Sequence, residues 1–114
     1  LKTGIAQAGN AAGLVAGLLR NDISLIGRSI VDLFAEPKRA TLIPCYDEIR
    51  QAALSAGAIN CNISGSGPSM FAFSTSQKEA ERIALEMKKA AKKKGFGSKT
   101  YVSRINEKGP RVIK

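Results

Sequence analysis

The chain has 114 residues, 44% of them hydrophobic, which suits one compact domain over residues 1–114 with a single modest core and leaves no room for a second. Eighteen Lys and Arg against nine Asp and Glu give a formal charge of +9, compatible with nucleic acid, an anionic membrane surface or small phosphorylated and carboxylated ligands. Histidine is absent, which removes the commonest general base near neutral pH and the commonest zinc ligand. No apolar run approaches the roughly 20 residues of a membrane span and no signal peptide opens the chain, so a soluble cytoplasmic protein is expected.

In chain order, Ile5, Ala8, Ala12, Val15, Leu18 and Leu19 recur at helical spacing, while Gly4, Gly9, Gly13 and Gly17 lower the propensity. Small residues at that spacing predict a helix approached closely by another backbone. Asn21-Asp22 offers a cap for a second helix with an apolar stripe of Ile23, Ile26, Ile30, Leu33 and Phe34, ended by Pro37. A third helix is predicted from Ile43-Pro44 to a stop at Gly57. Ala58 to Ile63 and Met70 to Ser74 then read as short strands, the first alternating Ile59, Cys61 and Ile63 with Ala58, Asn60 and Asn62. Ser76-Gln77-Lys78-Glu79 is a capping box for a helix that turns Ala80, Ile83, Ala84, Met87 and Ala91 inward until Gly95. Thr100 to Ile105 and Arg111 to Ile113 read as two further strands. The order predicts an α+β fold, ferredoxin-like, with helices on one face of a mostly antiparallel sheet. Cys45 and Cys61 lack metal-ligand spacing and are read as reduced structural thiols.

Four features carry chemistry. The loop Ser64-Gly65-Ser66-Gly67-Pro68-Ser69 leaves backbone N–H groups unobstructed and suits an anion, yet it lacks the Lys-Ser or Lys-Thr of a Walker loop, and glycine supplying positive φ in a strand connection explains it as well. Arg39, after Glu36-Pro37-Lys38, is placed to meet a carboxylate or phosphate in bidentate fashion, against a plain surface role. Arg104 shares a predicted strand face with Val102, which can aim its guanidinium at a site, though arginines are common on sheet edges. Lys88, Lys89, Lys92, Lys93, Lys94 and Lys99 are read as a solvated helix face, because the aromatic partners of a nucleic-acid surface are few. Asp32, Asp47 and Glu48 are read as helix-surface carboxylates, with no metal site and no catalytic residue assigned.

Gly57 to Ser69 resembles the third conserved motif of the GHMP kinases. Asp32-Leu33-Phe34-Ala35-Glu36-Pro37-Lys38-Arg39, with Leu42-Ile43-Pro44 after it, is similar to a stretch of the homoserine kinases in particular. The resemblance extends over nearly the whole chain, from Gln7-Ala8-Gly9-Asn10 to Arg111-Val112-Ile113. It implies the carboxy-terminal domain of an enzyme that transfers the ATP γ-phosphate to the hydroxyl of L-homoserine on the way to threonine. It further implies that Arg39 and Arg104 bind the substrate carboxylate, and that Ser64, Gly65, Ser66, Gly67, Pro68 and Ser69 support the nucleotide phosphate loop. That loop, and most contacts to ATP and Mg2+, would lie in an amino-terminal domain beyond this chain, so the 114 residues alone are expected to be inactive. The small residues of the first two helices suit an interface, a homodimer among the options. A basic module binding RNA or an acidic protein, or a kinase of the same fold acting on another small alcohol, are the competing readings. Neither a membrane nor nucleic acid is an expected partner of the kinase.

Overall fold

The computed structural model of the chain describes residues 2–31, 37, 40–65 and 67–113, without the side chain of Thr41. Helix α1 spans Lys2–Arg20. Its four glycines fall into two classes. Gly4 and Gly9 face open space, whereas a Cβ on Gly17 would lie 2.9 Å from Ile26 Cγ1 and 3.0 Å from the Ile26 backbone nitrogen, and one on Gly13 would run into the Ser29 hydroxyl. The predicted close approach of a backbone is therefore present, and the partner is helix α2, Ile23–Ser29. The turn between them is built from local chemistry. Asn21 adopts φ +54°, Asp22 N–H donates to Gly17 O at 2.9 Å, and Asp22 Oδ1 then accepts from Leu25 N–H at 3.1 Å as the cap of α2.

The packing of α1 on α2 through glycines turns its apolar stripe the other way. Ile5, Ala8, Ala12, Val15 and Leu19 share one helix face by spacing, and all five are exposed, Leu19 at 83%. Helix α2 is shorter than the run to Pro37 that its stripe predicts; residues 32–36 lie outside the described residues, so Leu33 and Phe34 are not placed. The reason it stops is a side chain. Asn60 Nδ2 donates to Ile30 O at 2.6 Å and to Gly27 O at 3.3 Å, taking carbonyls of the last turn, while Val31 N–H turns back to Ser29 O.

A 3₁₀ turn at Ala40–Leu42 leads into helix α3, Tyr46–Ser55, which starts just after the predicted Ile43-Pro44. Ile43 O accepts from Tyr46 N–H in a turn, and Cys45 at φ −121° is not yet helical. The stop at Gly57 is where it was expected. Gly57 takes φ +102°, its N–H donates to Leu54 O, and Ala58 N–H reaches Ala53 O at 3.0 Å.

Strands β1, Asn60–Ile63, and β2, Met70–Phe73, pair antiparallel with Asn60 opposite Phe73 and Ile63 opposite Met70. Alternation places Cys61, Ile63, Met70 and Ala72 on one face and Asn60, Asn62, Phe71 and Phe73 on the other. The first face carries the core: Ala53 of α3, Cys61 of β1 and Ile83 of the last helix are all but inaccessible, with Ala56, Ala58, Met70, Ala72 and Met87 packed around them. The last helix, α4, spans Gln77–Lys93. All five residues predicted to point inward are buried or half-buried there. Its capping box is half made: Ser76 Oγ accepts from Glu79 N–H at 3.2 Å, but the Glu79 carboxylate accepts from the Thr75 hydroxyl instead of returning to Ser76 N–H. Gly95, at φ +87°, ends it.

The α+β class is as read from the sequence, with α3 and α4 on one face of an antiparallel pair. The strands expected at Thr100–Ile105 and Arg111–Ile113 are not formed; both segments are exposed and irregular. Alternation supplies the side-chain half of a strand, and among the described residues neither segment pairs its backbone with another strand. No helix among the described residues is long and apolar enough to cross a membrane.

Candidate functional site

The glycine-rich loop joins β1 to β2 and is shaped from within. Ser64 N–H donates to Ser69 O at 2.8 Å, Gly67 N–H donates to Ser64 O at 3.1 Å, Gly65 and Gly67 take φ of +61° and +80°, and the Gly67-Pro68 peptide is cis. Both readings of the loop are thereby weighed by geometry. The glycines are needed for positive φ, and two N–H groups that an anion would need are already bonded inside the loop. Ser66 lies outside the described residues. A Cβ at Gly67 would be in ordinary contact with Ile63 and with Ile43, which places the loop against the segment that precedes α3.

The predicted arginines are not brought together in the described structure. Arg39 lies outside the described residues. Arg104 lies in the exposed segment after α4 and lines neither the cavity beside Tyr46 nor the one between Asn106 and Arg111. One cavity, about 280 Å³, is lined by the apolar Ile30, Val31, Pro37 and Ala40 together with Tyr46, Asp47, Arg50 and Asn62. It joins the end of α2, the first two turns of α3 and β1, and Pro37 puts Arg39 two residues away along the chain. Asp47, expected as a helix-surface carboxylate, is exposed on α3, and Arg50, one turn later, is half-buried.

The basic face of α4 is partly paired. Lys89 Nζ lies 3.3 Å from Glu86 Oε1, and Lys94 Nζ lies 3.2 Å from Glu48 Oε1, linking the exit of α4 to the first turn of α3. The carboxyl of Glu48 is held below its ordinary 4.5, first by its own backbone N–H in that open helix turn and then by Lys94. Cys45 and Cys61 are both buried free thiols. Among the described residues no three Cys, Asp or Glu gather to hold a metal ion.

Known proteins share this arrangement. A family model described as "GHMP kinases C terminal" matches residues 14–93. Homoserine kinases of Chlorobium phaeovibrioides and Chlorobaculum tepidum are 51% and 50% identical over 99% of the chain, which spans 36% of their length. A crystal structure of homoserine kinase from Cytophaga hutchinsonii superposes with a TM-score of 0.91 at 56% identity, over 99% of this chain and 36% of that one. The helices, the β1–β2 pair and the glycine loop between them all fall within the span of these likenesses, and the chain belongs to the GHMP kinase carboxy-terminal domain family.

Proposed function

We propose that the chain is the carboxy-terminal domain of an ATP-dependent homoserine kinase, which converts L-homoserine to O-phospho-L-homoserine in threonine biosynthesis. The observation that carries this reading is the 56% identity at a TM-score of 0.91 to a homoserine kinase, sustained over 99% of the chain. The remaining two-thirds of such an enzyme supplies the nucleotide phosphate loop and holds ATP with its Mg2+. Phosphoryl transfer asks for positioning and charge stabilisation more than for a covalent catalyst, and a +9 domain without histidine is suited to that. In this reading Arg39 and Arg104 bind the substrate carboxylate. The Ser64 to Ser69 loop is a wall that supports the phosphate loop, in keeping with its internally bonded amides.

The full-length protein is expected to release ADP in an L-homoserine-dependent manner in a coupled assay, and the 114-residue chain to release none. Turnover by the chain alone, or no turnover by the full-length protein, contradicts the reading. Arg39→Ala in the full-length protein is expected to raise the homoserine KM far more than the ATP KM, and equal rises remove its assigned role.

A further inference from the structure

The exposed apolar residues of α1 form a seam. Ile5, Ala8, Ala12, Val15 and Leu19 are three, four, three and four residues apart, the a and d spacing by which one helix receives another. All five are exposed, while Gly13 and Gly17 hold a different face of the helix against α2. The positions beside the seam, Gly4, Gly9, Ala11, Ala16 and Leu18, carry no charge, and all but the last are small, so a second helix can approach closely. Charge and size choose between the two sources of such a helix. Lys2 and Arg20, at its two ends, are the only charged residues of α1, so two copies of the seam would bring cations together in either orientation, between chains that each carry a formal +9. Five side chains also fall far short of the roughly 20–30 residues a side that hold separate chains together. A covalently attached segment needs much less, because it faces the seam at an effective concentration of the order of millimolar. In the homoserine-kinase reading such a segment exists: this chain spans 36% of its relatives and matches their carboxy-terminal family model, so the larger part of the polypeptide precedes it and joins the domain at the first turn of α1.

We infer that the α1 seam docks a helix from the amino-terminal part of the same polypeptide. The inference rests on the homoserine-kinase reading for the existence of that part. Photocrosslinking of the full-length protein carrying Leu19→p-benzoylphenylalanine identifies the occupant. The expected link joins position 19 to a residue that precedes Leu1 in the same polypeptide and leaves the mass of the denatured chain unchanged. A link to a second copy, which doubles that mass, a link within residues 2–113, or no link overturns the inference. Leu19→Lys in the full-length protein is expected to lower the melting temperature by about 3 °C or more and to raise hydrophobic-dye binding, because it places a charge in the docked seam. Thr3→Lys, exposed on α1 off the seam, is expected to leave both unchanged. Leu19→Ala, with a smaller fall, serves if the lysine variant fails to fold. A melting temperature for Leu19→Lys within about 1 °C of wild type, or an equal fall for Thr3→Lys, also overturns the inference. If the full-length protein does not phosphorylate L-homoserine, the functional reading fails on its own, and the crosslink and the melting temperatures still decide the seam.

Discussion

At the scale of single residues, the most consequential side chain outside the pocket is Asn60. It is 7% exposed, bonds two carbonyls at the end of α2, and accepts from Cys61 N–H at 2.8 Å through its own oxygen. Asn60→Ala leaves those groups buried and unmatched, so a loss of about 2 kcal/mol is expected in urea denaturation, with Ser24→Ala, on an exposed side chain, as a near-neutral comparison. Glu48 gives a pH prediction with a defined sign. Its folded pKa is depressed, so its contribution is present above the unfolded value near 4.5 and is lost as pH falls through the lower folded value. Lys94→Gln is expected to raise the Glu48 pKa in an NMR titration without returning it to the ordinary value, because the backbone N–H is the larger cause. Residues of this scale were legible in the sequence where their partners are local. Asp22, Gly57, Ser76 and Gly95 all do what their neighbours indicate. Asn60 and Arg50 were not, because what defines them is a carbonyl thirty residues away or a cavity formed by three elements.

At the scale of elements, α1 separates two kinds of glycine. Gly9→Ala adds helix propensity in open space and is expected to stabilise by about 0.5–1 kcal/mol, whereas Gly17→Ala forces α1 off the Ile26 backbone and is expected to destabilise by about 1–3 kcal/mol. Thermal unfolding of the two variants, which differ by the same chemical change, reads opposite signs if the interface is as described. Periodicity found the apolar stripe of α1 but could not say which way it faces, because a stripe and a row of glycines compete to be the contact surface and the closer approach lies on the glycine side. The two missing strands have a similar cause. Residues 100–105 alternate correctly, but ladder bonds depend on a distant backbone that local alternation does not reveal.

At the scale of the whole molecule, the exposed stripe from Ile5 to Leu19 and the apolar side chains of the exposed tail, Tyr101, Ile105, Val112 and Ile113, leave a large share of apolar surface open to water. The isolated chain is expected to bind a hydrophobic dye, and Leu19→Lys to reduce the signal without lowering the melting temperature, since nothing described packs on that side chain. The glycine loop belongs to this scale as well, because its shape depends on no other molecule. Ser64 N–H and Gly67 N–H close bonds to Ser69 O and Ser64 O within the loop. As the wall proposed above, a loop already bonded within itself would lose no conformational freedom when a nucleotide arrives, so association beside it would carry little ordering entropy. Amide hydrogen exchange at Ser64 and Gly67 should accordingly be slow in the free full-length protein and unchanged when nucleotide is added, the behaviour of a preformed mould and the opposite of a closing clamp.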